Sequence, residues 1–133
     1  MSFSLTVLGS SSALPTSKRN PAAHVLNIHE HFFLIDCGEG TQMQLNKFKI
    51  NLSKIHHIFI SHLHGDHIFG LFGLFSTYNL LNRNNDLHIY AHPEIKHTIK
   101  YYTDHFGTDL CYTSVVHPFK ANISKLIFEN KHL

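Results

Sequence analysis

The chain has 133 residues, 43% of them hydrophobic, and a formal net charge of +2 with its 14 histidines neutral. That length fits a single domain over 1–133 with a core of its own, and the charge balance is too weak to argue for nucleic acid by itself. No apolar run approaches the roughly 18 to 20 residues of a membrane span, the N-terminus lacks the basic head of a secretory signal, and Cys37 and Cys111 lack CxxC spacing, so a cytoplasmic chain with reduced thiols and no membrane partner is expected.

Ser2 to Leu8 alternates, with Phe3, Leu5 and Val7 on one side and Ser4 and Thr6 on the other, which predicts a half-buried strand. A long turn-forming stretch follows from Gly9 to Pro21, with Lys18 and Arg19 side by side before Asn20. Two adjacent cations suit phosphate, but a polar loop that merely connects elements carries the same residues. Ala23 to Ile28 and Phe32 to Ile35 read as the strands of a hairpin joined through His29, Glu30 and His31. The second strand ends at Asp36-Cys37-Gly38-Glu39-Gly40-Thr41-Gln42, where glycines permit a sharp turn before a helix starting near Thr41. Asp36 is read either as an acceptor that orients a ligand imidazole through the nitrogen not bound to metal, or as a turn or cap carboxylate.

A short amphipathic helix over Gln42 to Lys49 and a strand over Lys54 to Ile60 lead to Ser61-His62-Leu63-His64-Gly65-Asp66-His67. His62 and His64 are two apart, so on a continuing strand they leave on the same side and can close on one metal ion. Asp66 and His67 belong to the next turn of chain and can face a second metal. Neutral imidazole and carboxylate suit zinc, whose catalytic sites keep a position for water. The competing reading is a histidine-rich loop in a histidine-rich chain, with Asp66 as a helix cap. From Asp66 onward, Ile68, Leu71, Phe72, Leu74, Phe75, Tyr78 and Leu81 cover most of a helical circumference, which predicts a buried helix, with Gly70 and Gly73 permitting close approach to a sheet.

Leu87 to Ala91 alternates as a strand, and Pro93 and Glu94 open a helix with Ile95, Ile99, Tyr102 and Phe106 on one stripe, ended by Gly107. Leu110 to Val116 and Lys125 to Glu129 read as further strands. The other imidazoles, from His24 to His132, lack mutual ligand spacing and are expected to be surface or hydrogen-bonded core groups. His117, followed by Pro118 at a strand end, is the one to watch.

Taken together, Leu8-Gly9-Ser10, Pro15, Arg19-Asn20, Leu34 to Gln42 and Ser61 to His67 with Gly70-Leu71 resemble the start of ribonuclease Z, the tRNA 3′-end processing endonuclease of the metallo-β-lactamase superfamily. The His-x-His-x-Asp-His element marks the superfamily, and Asp-Cys-Gly-Glu-Gly-Thr-Gln narrows it to that branch. The resemblance implies an α/β fold, a metallo-β-lactamase-like αββα sandwich of which this chain supplies about the first half, one mixed sheet with flanking helices. It implies that His62 and His64 ligate one zinc, that Asp66 and His67 ligate a second, and that Asp66 also acts as proton acceptor. Metal-bound hydroxide would attack a phosphodiester of precursor tRNA, leaving a 3′-hydroxyl on the tRNA and a 5′-phosphate on the trailer. Lys18, Arg19 and Asn20 would contact RNA, in a loop that reads Pro-Thr-Ser-Lys-Arg-Asn where the family has Pro-x-Lys-x-Arg-Asn. The family's remaining metal ligands lie beyond the segment resembling Ser124 to Leu133, so the chain is expected to be incomplete for catalysis, with a homodimer or a second chain completing the fold. Two alternatives stand beside this: a catalytically silent metal-binding or interaction module, and another hydrolase of the superfamily, such as a thioesterase.

Overall fold

In the computed structural model, which describes residues 2–106, 109–120, 126, 128, 129 and 131, six strands pair in chain order into one mixed sheet. They are β1 (Phe3–Gly9), β2 (Ala23–Ile28), β3 (His31–Ile35), β4 (Ile55–Phe59), β5 (Leu87–Ala91) and β6 (Ser114–Pro118). The first three pair antiparallel, with β2 and β3 joined by a tight turn in which His29 and Glu30 both have positive φ, 51° and 68°. Two consecutive residues in that conformation match the right-handed twist of the flanking strands. From β3 onward the pairing is parallel, and each crossover carries a helix: α1 (Thr41–Lys47), α2 (Gly65–Leu80) and α3 (Ile95–His105).

Successive right-handed crossovers to the next strand keep every helix on one face of the sheet. Accordingly one core cluster joins Leu34, Ile58, Ile60, Ile89 and Ala91 of the sheet side to Leu45 of α1, Leu71 and Phe75 of α2, and Ile95 of α3. Among the described residues no helix lies on the opposite face. Its apolar stripe on β1 stands out, Phe3 at 76%, Leu5 at 57% and Val7 at 50% exposure, where the alternation predicted the half-buried side of a strand. Further along, the same face carries a band of rings. Phe59 stacks on Tyr90 at 4.5 Å, Tyr90 on His117 at 4.5 Å, and His57 on His88 at 5.1 Å between ring centres, while Phe128 lies against His57 at 4.6 Å. His117 is thus a member of this stack, its Nε2 2.9 Å from Nδ1 of His88.

Several expectations are corrected in detail. α2 buries one side, Ile68, Leu71, Leu74, Phe75 and Tyr78, and leaves Phe69, Leu80 and, just beyond it, Leu81 exposed. Its N-cap is His64, so Asp66 is a first-turn acid and not the cap. Phe106 is exposed, off the buried stripe of α3. The last paired strand starts at Ser114 and runs to Pro118, because Cys111 and Tyr112 are engaged elsewhere: the Cys111 N–H donates to Asn79 Oδ1 at 2.7 Å and the Tyr112 hydroxyl to the Phe75 carbonyl at 3.1 Å. Gly107, His132 and two of the five residues of the Lys125 to Glu129 stretch lie outside the described residues, and the other three, 126, 128 and 129, are in no paired strand. Among the described residues no helix is long and apolar enough to cross a membrane.

The two helix glycines do permit close approach, but to the segment after β3 and not to the sheet. A Cβ on Gly70 would lie 2.1 Å from the carbonyl oxygen of Gly38, whereas one on Gly73 would meet the far end of the Gln42 side chain at 3.0 Å. Both substitutions recover roughly 1 kcal/mol of helix propensity, and forcing apart packed backbone costs about 1–3 kcal/mol or more. Gly70→Ala is therefore expected to lower the melting temperature and Gly73→Ala to leave it unchanged or raise it; equal effects in thermal unfolding would contradict the packing described.

The ring band makes a second expectation. Burial, and then the neighbouring His88, His56, His117 and Arg83, hold His57 down to about 4, against 6.5 when free. With the folded value below the unfolded one, the unfolded chain takes up the proton first. Stability is full above about pH 6.5 and is lost as pH falls towards about 4. Melting curves across that window are expected to show a shallower acid decline for His57→Phe than for the native chain, and parallel curves would reject the assignment.

Candidate metal centre

β3 and β4 run parallel, so the residues that follow them emerge at the same edge of the sheet. Asp36 follows β3 directly, with φ of 59° and only 6% of its surface exposed. Its N–H donates to the Phe59 carbonyl at 2.7 Å, which carries the β3–β4 pairing one residue further and aims the side chain across to Ser61. The carboxylate accepts from the Ser61 N–H at 2.8 Å, and the Ser61 hydroxyl lies 2.9 Å from each of its oxygens. Oδ2 also faces Nδ1 of His67 at 2.8 Å.

The segment after Asp36 is fastened to α2 by backbone alone. The Cys37 N–H donates to the His67 carbonyl at 2.8 Å, and the Cys37 carbonyl accepts from Gly70 N–H at 3.0 Å. Gly38 is the point where this segment meets the first turn of α2 and the loop before β2: a Cβ there would lie 2.5 Å from the Asp66 carbonyl oxygen and 2.7 Å from the Pro21 Cβ. The Thr41 hydroxyl closes the turn by donating to the Gly38 carbonyl at 2.6 Å. Cys37 is enclosed, and burial pushes its thiol up to about 12, so it stays a neutral packing group and no nucleophile.

On this base the imidazoles gather. The ring centres of His62 and His64 are 4.6 Å apart and those of His62 and His67 are 4.1 Å apart. The Ser61 hydroxyl reaches Nδ1 of His62 at 3.0 Å and lies 3.4 Å from Nδ1 of His67. Nε2 of His67 is 3.4 Å from Oδ2 of Asp66. His67 therefore sits between two carboxylates, Asp36 on one nitrogen and Asp66 on the other. A neutral ring whose proton is on the Asp36 side turns a lone pair towards the Asp66 oxygen, an arrangement that calls for a cation or a proton between them. The donors are neutral imidazole and carboxylate, the set that zinc takes. They meet in pairs: among the described residues no three or more His, Cys, Asp or Glu side chains are grouped so as to hold an ion.

The other sequence candidates are near but peripheral. Lys18 and Arg19 are exposed on a turn in which the Arg19 N–H donates to Thr16 Oγ1 at 3.0 Å. Asn20 abuts the turn before α1, its amide nitrogen 2.7 Å from where a Cβ on Gly40 would stand. The residue that sequence reasoning passed over is Ser61, whose only signal is its place directly before His62.

Residues 3–106 match a family model described as Anti-Pycsar protein Apyc1. The chain is 43% identical over 131 residues to a ribonuclease Z of Phocaeicola vulgatus, a match covering 98% of this chain and 42% of that protein. A ribonuclease Z of Bacteroides thetaiotaomicron is 43% identical over 129 residues, 97% of this chain and 41% of the relative. The chain thus spans less than half the length of these relatives. Among solved structures, human tRNase Z, short form, superposes with a TM-score of 0.80 at 39% identity, over 86% of this chain and 44% of the other. The metallo-β-lactamase fold protein YhfI of Bacillus subtilis superposes at 0.67 and 20% identity, over 84% of this chain and 44% of that one, a likeness of fold alone. By the extent of the family match the chain belongs to the family of that model, and in sequence and fold it corresponds to the N-terminal part of a ribonuclease Z with the metallo-β-lactamase fold.

Proposed function

We propose that this chain supplies the metal-binding half of a zinc-dependent endoribonuclease that removes the 3′ trailer from precursor tRNA. The observation that carries the reading is the junction of Asp36 with His67, through a 2.8 Å contact to Nδ1 that turns Nε2 towards Asp66, in a chain of which 98% matches a ribonuclease Z. An imidazole fixed through one nitrogen by a carboxylate is how proteins orient a ring whose other nitrogen ligates a metal. In this reading His62 and His64 hold one ion, and Asp66 and His67 hold another. A zinc pair bound there supplies a hydroxide at neutral pH and offsets the charge that develops on the phosphate.

The residues of the chain divide the remaining work. Asp36 keeps the His67 ring in place, and Asp66 stands beside it as the acceptor for the proton of the attacking water. Lys18, Arg19 and Asn20 lie on the loop whose end packs against the segment after β3, where cations meet the RNA backbone as it approaches the ions. The uncovered sheet face, with Phe3, Leu5 and Val7 exposed, is covered in the working enzyme, by further residues of the protein, a second polypeptide or a second copy of the chain.

The test joins this chain to the part of the Phocaeicola vulgatus ribonuclease Z beyond the matched residues and offers the chimera zinc and a precursor tRNA with a 3′ trailer. Release of the trailer with a 3′-hydroxyl on the tRNA is expected. His64→Ala and Asp66→Ala are each expected to lower cleavage by about 100-fold or more and to reduce bound zinc. A chimera that binds zinc and leaves the RNA intact would sink the nuclease reading in favour of a silent metal-binding module. Turnover of a thioester in place of RNA would favour the other hydrolase.

A further inference from the structure

We infer that Ser61 is a positioning residue that sets the tautomer of His62 and links the two pairs of ligands through the Asp36 carboxylate. The inference rests on the reading of His62 and His67 as ligands, and it assigns a role to a side chain that carries no metal itself. A serine hydroxyl has one proton to donate and two lone pairs with which to accept. Ser61 Oγ lies 2.9 Å from both oxygens of Asp36, and an ionised carboxylate only accepts, so the hydroxyl proton goes to Asp36. The contact of 3.0 Å to Nδ1 of His62 must then run the other way, with the ring nitrogen as donor and Oγ as acceptor.

The same reasoning applies to His67. Its Nδ1 is 2.8 Å from Asp36 Oδ2 and 3.4 Å from Ser61 Oγ, so its proton belongs to the carboxylate. Both rings thus carry the proton on Nδ1, and both keep Nε2 bare. For His67 this follows from the carboxylate, which is 6% exposed and held directly after β3. For His62, which is exposed, nothing else among the contacts described does it. The hydrogen bond made by one ring nitrogen decides which nitrogen is available to a metal. Without the hydroxyl, His62 is free to rotate and to place its proton on the nitrogen meant for the ion.

Ser61 is held as firmly as this task requires. Its own N–H donates to Asp36 Oδ1 at 2.8 Å, so backbone and side chain grip one carboxylate, and the preceding Ile60 N–H donates to the Tyr90 carbonyl at 2.8 Å in continuation of the sheet. The hydroxyl therefore hangs from the β4–β5 ladder, and a ring bonded to it inherits that placement.

The experiment compares the full chain with Ser61→Ala and Ser61→Thr by two readouts. One is zinc affinity by competition with a chromophoric chelator; the other is the ring nitrogen shifts of His62 and His67 by NMR without metal. Ser61→Ala is expected to weaken zinc binding about 10- to 100-fold and to move His62, and not His67, away from the Nδ1–H form. Ser61→Thr, which keeps the hydroxyl, is expected to restore both, and equal melting temperatures would exclude a loss of fold. If Ser61→Ala leaves the His62 tautomer as it was, or if threonine fails to restore it in a folded chain, the inference is overturned. Failure of the native chain to take up zinc counts against the metal reading alone, because the tautomer readout needs no metal.

Discussion

The buried carboxylate of Asp36 is the constraint on which the candidate site depends. It sits where β3 stops, in a left-handed backbone conformation that costs a non-glycine residue about 1–2 kcal/mol and that aspartate adopts more readily than most. The conformation turns the chain out of the sheet while its N–H still pairs with Phe59. A carboxylate at 6% exposure is costly unless it is satisfied, and here Ser61 and His67 supply the donors. Asparagine in its place would carry no charge and present one acceptor oxygen where the carboxylate presents two.

Around that carboxylate the chain is held by backbone hydrogen bonds as well as by the buried Cys37 side chain. Cys37 exchanges hydrogen bonds with His67 and Gly70, and Gly38 leaves no room for a side chain between Asp66 and Pro21. Each of these contacts joins the segment after β3 to the start of α2, so Asp36 and His67 keep their distance although 30 residues separate them in the chain. A site whose groups must be placed to a fraction of an ångström is best hung on such rigid junctions.

Much of this was legible in the sequence, and the parts that were not have identifiable causes. Alternation located β1 and β5, the hairpin reading located β2 and β3, and the residues from His62 to His67 stood out by chemistry and spacing. Alternation says which residues share a face, however, and not whether anything covers that face, which is why Phe3, Leu5 and Val7 came out exposed. The run from Leu110 was extended and apolar enough to be a strand, but Tyr112 is drawn beneath the helix layer, where its ring lies 5.8 Å from the guanidinium of Arg83. Arg83 itself, a cation with 8% exposure that donates to the carbonyls of Ile55, Asn85 and Asp86, has no sequence signature as a buried clamp. Ser61 was passed over for a similar reason: serines are common before turns, and only the position of Asp36 across the strand pair gives this one a task.

The two faces of the sheet differ in how far they are finished, and that difference bears on the site. The helix face has a continuous core, and the contacts described for Asp36, Ser61 and His67 run among β3, β4, α2 and the segments between them. On the other face Phe33 and Tyr90 are almost enclosed, with Phe128 against both, while the stripe on β1 is open. The candidate ligands His62, His64, Asp66 and His67 thus stand on the half of the molecule that is already packed. Whatever covers the open face adds area and further groups, but the orientation of the His67 ring comes from a carboxylate on the near side of it. In the proposed reading, a defect at Asp36 and a defect in the β1 stripe are consequently separable, one local to the end of the sheet and the other spread over its uncovered face.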